Sequence, residues 1–251
     1  MLDTSMLKAV LCDIGGVLYE GDTPYPGAVQ AVKRLKAAYP VRFVTNTTQK
    51  TGKQVVVKLQ KMGFEIDASE VVTALDVTKT FLLQHGSTAT FILTEDALRF
   101  FDDLPDAPCR CVVVGDAQEN FTYARLNEAF RTLMDGGELL AAAKNRYFKD
   151  HEGKLSMDAG GFVAALEYAS GKTAKVIGKP SVDFYRLACD ALCVTPEEAV
   201  MIGDDIESDV AGAQAAGLRG ILVETGKFSP ADLERGIAPD AVYPSIADIA
   251  L

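Results

Sequence analysis

The residues of this chain best suited to chemistry stand at the ends of short apolar runs. Asp13 closes AVLC, Thr45-Asn46 closes VRFV, Gly178-Lys179-Pro180 closes AKVI, and Gly203-Asp204-Asp205 closes AVMI, with Asp209 one helical turn further on. Three or four acids, a hydroxyl, an amide and a lysine therefore recur at the same kind of position. Carboxylates crowded together repel, and a bound cation is the usual remedy. Ligands that are all oxygen select a hard ion such as Mg²⁺ and suit Mn²⁺ equally. A lysine and a hydroxyl beside such an ion make a site for phosphate. Each piece alone has a plainer reading. Asp13 before Gly15-Gly16 suits a turn, Thr45-Asn46 and Asp204, Asp205 or Asp209 suit helix caps, and Lys179 before Pro180 suits a solvated loop. The joint pattern, in this order, points to chemistry.

Elements that would position these residues alternate along the chain. Runs rich in Val, Ile and Leu predict strands at 7–14, 41–46, 90–94, 111–115, 138–143, 174–178, 199–203 and 220–224. Between them, apolar residues at helical spacing predict helices at 26–39, 52–63, 74–85, 123–134, 160–170, 182–193 and 208–217. Pro26 opens one helix, Gly63 and Gly217 close others, and Ser208-Asp209 caps another. Strands alternating with helices predict an α/β protein with a mostly parallel sheet covered by helices on both faces. Strands apolar throughout agree, because they would be buried on both sides. Ligands of such sheets bind beyond the carboxyl ends of the strands, and we expect Asp13, Thr45, Lys179 and Asp204 at one rim of one sheet. The polar stretch 144–160 reads as an exposed β-hairpin or loop.

The chain has 251 residues and a net charge of −10, with no basic stretch to neutralise phosphates, so nucleic acid is not an expected partner. No apolar run is long enough to span a bilayer, and the first residues lack the pattern of a signal peptide. We expect no membrane partner and a cytoplasmic location. The five cysteines, Cys12, Cys109, Cys111, Cys189 and Cys193, are odd in number and read as reduced, packed thiols. Their spacings do not suit a zinc site, and His85 and His151 lie far from them in sequence.

A response-regulator receiver gathers the same residue types, but in about half this length and with its acid pair on the first strand. The order here instead resembles the four motifs of the haloacid dehalogenase (HAD) superfamily: Asp13-Ile14-Gly15-Gly16-Val17-Leu18, Thr45-Asn46, Gly178-Lys179-Pro180, and Gly203-Asp204-Asp205 with Asp209. Roughly 130 residues between the second and third motifs resemble the inserted cap of subfamily IIA, the NagD type. The segments DIGGVLY, FVTNTTQK, GKPS, AVMIGDDIESDVAGAQ and ETGKF resemble the branch of that subfamily that hydrolyses phospholysine, phosphohistidine and pyrophosphate. The resemblance implies a HAD-like Rossmannoid core, 1–86 and 175–251, and an α/β cap domain, 87–174. It also implies a Mg²⁺-dependent phosphatase acting through an aspartyl phosphate. Asp13 would be the nucleophile and a metal ligand, the backbone carbonyl of Gly15 a second ligand, and Asp204 a third. Asp205 and Asp209 would stand behind these ligands, holding the ion's waters or orienting neighbours. Asp13, Ile14, Gly15, Thr45, Asn46 and Lys179 would bind the phosphoryl group, and Lys179 would also neutralise charge during transfer.

One position departs from the family pattern. Most HAD phosphatases carry Asp where this chain has Gly15, and that acid protonates the leaving group and then activates water. The resemblance leaves two readings. The substrate has P–N or P–O–P bonds whose leaving groups need no acid, with Glu20, Asp22, Asp205 or a cap residue activating water. Alternatively, the protein is a catalytically weak phospho-ligand sensor. Lys144, Asn145, Arg146, Tyr147 and Asp158 are candidate cap residues facing a small phosphorylated substrate or phosphoamino acid, although Lys144 and Arg146 equally suit a solvated hairpin. Phe121, Tyr123 and Phe130 read as helix core. Relatives of this type often pair through the cap, which implies a homodimer.

Overall fold

Strand residues Ala9–Asp13 and Ala199–Gly203 are buried at every position, as strands covered on both faces must be. In the computed structural model, which describes residues 5–149 and 154–251, they lie side by side at the centre of a six-stranded sheet. From one edge to the other the sheet runs Ala241–Tyr243, Arg219–Val223, Ala199–Gly203, Ala9–Asp13, Val41–Thr45 and Val71–Thr73. The central pairings are parallel, with Cys12 opposite both Ile202 and Phe43 and with Asp13 opposite Val44. Asp13, Thr45 and Gly203 therefore end neighbouring strands at the carboxyl edge, where the following residues are free of the ladder.

Helices pack on this sheet through apolar stripes at helical spacing. Ala28–Ala38 buries Ala28, Ala31, Val32 and Leu35; Gly52–Lys61 buries Val55, Val56 and Leu59; Val182–Asp190 buries Phe184, Tyr185, Ala188 and Cys189. The predicted helix at 208–217 is a wide, π-type turn over Ile206–Ala211 running into a short helix, Gly212–Ala216. Two edge strands, Val71–Thr73 and Ala241–Tyr243, had no sequence signal, because three residues are too few to show a period.

The chain divides into two compact units. One comprises residues 1–45, 53–72 and 179–251, and the other 46–52 and 73–178. The second unit has its own four-stranded sheet, in the order Lys175–Val176, Glu138–Ala141, Cys109–Val114, Thr88–Ile92. Ile92, Val112, Val114 and Leu139 of that sheet form a core with Ala129, Leu133, Val163 and Leu166 of the helices Tyr123–Met134 and Ala159–Ser170.

The expectation of a central-sheet strand at 174–178 is corrected here. Lys175–Val176 pairs in parallel with Leu140–Ala141 of the second sheet. The N–H groups that follow are satisfied in the same place, Ile177 donating to the Ala141 carbonyl at 2.8 Å and Gly178 to the Ala142 carbonyl at 3.1 Å, so the backbone of this segment is committed to the second sheet up to the residue before Lys179.

The hairpin expected within 144–160 forms from Tyr147–Lys149 and Leu155–Met157, while 150–153, with His151, lie outside the described residues. Cys12, Cys111 and Cys189 are buried, Cys109 and Cys193 exposed, and all five are free thiols. No helix among the described residues is long and apolar enough to cross a membrane.

Candidate active site

Asp13 is the last residue of its strand, and Lys179 reaches it from a distant part of the chain. The Lys179 ammonium donates to Asp13 Oδ1 at 2.7 Å and to Asp209 Oδ1 at 2.7 Å. All three side chains are buried, Lys179 at 4% exposure, Asp13 at 8% and Asp209 at 1%. Asp204, at 2%, completes the cluster, and carboxylate oxygens of Asp13, Asp204 and Asp209 lie within 4.8 Å of one another. Among the described residues this is the one group of His, Cys, Asp or Glu with metal-ligand spacing.

Backbone groups hold each acid in place. The wide turn after Asp205 is pinned from below by Tyr185, whose hydroxyl donates to the Ser208 carbonyl at 2.5 Å. Within the turn, Asp209 Oδ2 accepts the Asp205 N–H at 3.1 Å, and Asp205 Oδ1 accepts the N–H groups of Glu207 and Ser208. Asp204 Oδ2 accepts the Lys227 N–H at 2.7 Å. Lys227 belongs to the loop after the strand Arg219–Val223. The same loop ties down the first motif, for Thr225 Oγ1 donates to the Gly16 carbonyl at 2.6 Å. Gly16 has φ +82°, and a Cβ there would lie 2.1 Å from Asp204 Oδ2. The second glycine of the first motif is thus needed for close approach.

The electrostatics follow from this crowding. Burial pushes the Asp204 carboxyl well above the usual carboxylate range, and the charges of Asp13 and Asp209 add to it. Burial also pushes Asp209 up to about 6, against the pull of Lys179. Burial opposes the Lys179 charge, yet Asp13 and Asp209 hold the ammonium well above the ordinary lysine range. Asp205 behaves differently: burial works against its charge, but the Lys227 ammonium and the Ser208 N–H hold it below the usual range.

The donor set fits a hard divalent cation. It consists of oxygens alone, and its buried carboxylates lack enough positive charge nearby. Both oxygens of Asp209 are committed, to Lys179 and to the Asp205 N–H. Asp13 and Asp204 are therefore the carboxylates left to face an ion, with the Gly15 carbonyl, which accepts no backbone hydrogen bond among the described residues. If an ion binds here, Mg²⁺ at about 100 times its Kd stabilises the fold by about 2.7 kcal/mol. That should raise Tm by roughly 5–10 °C. Differential scanning calorimetry with and without MgCl₂ tests this, and the rise should vanish in Asp204→Asn.

Not all residues expected at the site sit together. Ile14 is buried in the core of its unit, so only its backbone is offered to a ligand. Thr45 is half-buried at its strand end. Asn46 begins the stretch 46–52, which packs with the second unit. There Thr48 Oγ1 accepts the Asp116 N–H at 2.7 Å, and Gln49 bonds the Asp116 carboxylate. A Cβ on Gly178 would come within 2.6 Å of Asn46 Oδ1, so the residue before Lys179 is packed against that amide. Glu20 accepts from the Tyr25 hydroxyl, and Asp22 pairs with Lys58 at 3.0 Å. Lys144 is engaged with both oxygens of Glu167 at 2.7 and 2.8 Å. The Asn145 and Arg146 carbonyls accept backbone N–H groups, Asp158 caps the helix Ala159–Ser170, and Tyr147 is exposed.

Lys227, Thr225 and Tyr185 were not foreseen as site residues. The stretch ETGKF carried a signal for Thr225 and Lys227, a hydroxyl and a lysine flanking a glycine directly after an apolar strand. Tyr185 carried none.

A model described as haloacid dehalogenase-like hydrolase matches residues 10–104, and one described as HAD-hydrolase-like matches 176–249. Haloacid dehalogenase-like hydrolase domain-containing protein 2 of Mus musculus is 46% identical over 231 residues, 91% of this chain and 88% of that protein. The chain belongs to the haloacid dehalogenase-like hydrolases. Within the family it also resembles the phospholysine phosphohistidine inorganic pyrophosphate phosphatase of Rattus norvegicus, 43% identical over 91% of this chain and 87% of the relative. Among solved structures, a 4-nitrophenylphosphatase from Thermotoga maritima has a TM-score of 0.89 at 27% identity, covering 97% of this chain and 96% of that one. NagD from E. coli K-12 has a TM-score of 0.86 at 25% identity, covering 97% and 98%. The α/β architecture is that of HAD phosphatases, and this hydrolase is an enzyme of the phosphatase type.

Proposed function

We propose that this HAD phosphatase is a Mg²⁺-dependent phosphohydrolase that works through an aspartyl phosphate on Asp13. Its substrates, on this reading, are small phosphorylated molecules or phosphoamino acids with P–N or P–O–P bonds. The observation that carries the catalytic reading is the buried Asp13–Lys179–Asp209 bridge beside Asp204. An isolated buried acid cluster would be costly, whereas a site for a cation and a phosphoryl group uses it.

Asp13 Oδ attacks phosphorus in line with the leaving group. The P–N or P–O bond breaks as the Asp13–phosphorus bond forms, and its electron pair leaves with an already protonated amine or with phosphate. Lys179 orients Asp13 and offsets negative charge on the transferring group. Thr45, Asn46 and the backbone at Ile14 and Gly15 receive the phosphoryl oxygens. Mg²⁺, held by Asp13, Asp204 and the Gly15 carbonyl, would supply further charge neutralisation. Water then cleaves the aspartyl phosphate, releasing inorganic phosphate and restoring Asp13. Residues 87–174 would act as a cap that selects substrate. A homodimer is part of the same reading, and size-exclusion chromatography with light scattering tests it.

Substrate choice follows from Gly15. A protonated amine or a phosphate leaves without an acid, whereas an alkoxide does not. The name of the rat relative covers these same bonds. The test is phosphate release with MgCl₂ from imidodiphosphate, phospholysine, phosphohistidine, pyrophosphate, 4-nitrophenyl phosphate and sugar phosphates. Turnover of P–N and P–O–P compounds well above sugar phosphates supports the reading, and the reverse order overturns it.

Gly15→Asp gives a sharper check. A Cβ at Gly15 meets nothing within 4 Å, and φ there is not in the left-handed region, so the variant should fold with Tm within about 2 °C of wild type. It restores the missing acid. We expect kcat/KM for sugar phosphates to rise about tenfold or more, toward the range typical of general acid catalysis. A correctly folded variant with no gain would show that leaving-group protonation is not what limits alkyl esters.

A further inference from the structure

Lys179 is not the only cation at the acid cluster. Lys179 bonds Asp13 and Asp209, whereas Lys227 bonds Asp204 and Asp205. Its main-chain N–H binds Asp204 Oδ2 at 2.7 Å, and its ammonium pairs with Asp205 Oδ2 at 3.2 Å. The two lysines are placed very differently. The Lys179 side chain is 3% exposed and spends its ammonium on two buried carboxylates. The Lys227 side chain is 51% exposed and, among the described residues, makes one ion pair, so donors remain for a ligand.

The loop that carries Lys227 is rigidly set. Thr225 is tied to the Gly16 carbonyl, and the Gly226 N–H donates to the Tyr25 hydroxyl at 3.1 Å. Gly226 has φ +63°, and a Cβ there would lie 2.1 Å from Asp204 Oδ2 and 2.6 Å from Gly16 Cα. The backbone thus presses against both the first motif and Asp204, and the lysine is delivered to the rim by its own main chain. Burial works against the Lys227 charge, yet Asp205, Asp204, Asp209 and Asp13 together hold its ammonium above the ordinary lysine range.

We propose that Lys227 is a second anion-binding residue of the active site, placed to receive negative charge on the part of the substrate beyond the transferring phosphoryl group. The proposal rests on the phosphohydrolase reading above and adds a specificity determinant to it. A diphosphate or imidodiphosphate places anionic oxygens on its leaving half, and a half-exposed ammonium at the rim can bind them. A sugar leaving group offers no such charge. With Gly15 supplying no acid, Lys227 stabilises the departing anion by charge instead of by a proton.

The opposite signs expected for a cation and an anion separate this role from a merely structural one. In Lys227→Met the main-chain N–H to Asp204 is retained and only the ammonium is lost. The cluster becomes more negative. The KM values of pyrophosphate and imidodiphosphate should rise about tenfold, the size of a lost charge-assisted hydrogen bond. The MgCl₂ concentration for half-maximal activity should stay the same or fall. The ratio of kcat/KM for pyrophosphate to that for 4-nitrophenyl phosphate should fall, because only the diphosphate carries anionic phosphoryl oxygens beyond the transferring group. Lys227→Arg should recover most of the diphosphate affinity. The inference is overturned if Lys227→Met leaves pyrophosphate and imidodiphosphate binding within twofold of wild type. It is also overturned if diphosphate affinity, Mg²⁺ response and Tm fall together without rescue by Arg, since that is the pattern of a structural lysine. The underlying reading fails separately: wild type that releases no phosphate from any compound above an Asp13→Asn control would sink phosphohydrolysis, and this inference with it.

Discussion

Asp13→Asn should abolish turnover, with kcat falling by at least about three orders of magnitude, the scale seen when a covalent nucleophile is removed. Binding of inorganic phosphate in the presence of MgCl₂ should persist or strengthen. The carboxamide keeps an oxygen for Lys179, so the 2.7 Å contact has a neutral counterpart, and a negative charge that repels phosphate is gone. Asp209 still partners the ammonium, so Lys179 is not stranded. The fold should therefore survive, with Tm near that of wild type. Calorimetric titration of phosphate into both proteins, alongside a phosphate-release assay, checks this. Residual turnover above about a tenth of wild type would mean that Asp13 is not the nucleophile.

Lys179→Met carries the other large expected effect, and it acts on stability as well as activity. The ammonium bridges two carboxylates that are nearly inaccessible to water. Methionine fills similar volume but leaves Asp13 and Asp209 facing each other without the cation between them. Removing one partner of a buried ionic network typically costs about 3–5 kcal/mol, because the remaining charges stay desolvated. We expect a loss of that size in metal-free urea unfolding, together with loss of phosphatase activity. Adding Asp209→Asn to Lys179→Met should return part of the stability, since one unpaired buried charge disappears, but no activity. The coupling between the two sites, read from the double-mutant cycle, should exceed about 1 kcal/mol. If Lys179→Met unfolds within about 0.5 kcal/mol of wild type, the ammonium is not the clamp described here.

Much of this site was legible because parallel α/β proteins confine chemistry to strand ends. Asp13 and Thr45 directly follow apolar runs, Asp204 and Asp205 follow another after a single glycine with Asp209 one turn on, and runs of that kind are visible in one dimension. The helices were legible for the same reason: four apolar residues at helical spacing, as in Ala28, Ala31, Val32 and Leu35, announce both a helix and its buried face. What escaped was set by partners distant in sequence. Lys179 was expected to leave a strand of the same sheet as Asp13, yet the strand before it pairs with Leu140–Ala141 of the second sheet. Two residues of strand carry no mark of which sheet they will join. The edge strands Val71–Thr73 and Ala241–Tyr243 were silent for lack of length.

The sequence by itself determined the order and the chemical types of the groups: a lone acid with glycine after it, a hydroxyl and amide, a lysine, and an acid pair with a third acid one turn on. It also showed that Gly15 brings no acid, since no fold can add a side chain to glycine. Only the tertiary structure decided which oxygen meets which nitrogen. It assigned both oxygens of Asp209 to Lys179 and the Asp205 N–H, gathered the carboxylates of Asp13 and Asp204 beside them, and set Lys227, 23 positions after Asp204, against Asp204 and Asp205. Those pairings join residues up to 166 positions apart, as for Lys179 and Asp13. Burial then makes them matter, because charges removed from water are held by their specific neighbours and not by solvent.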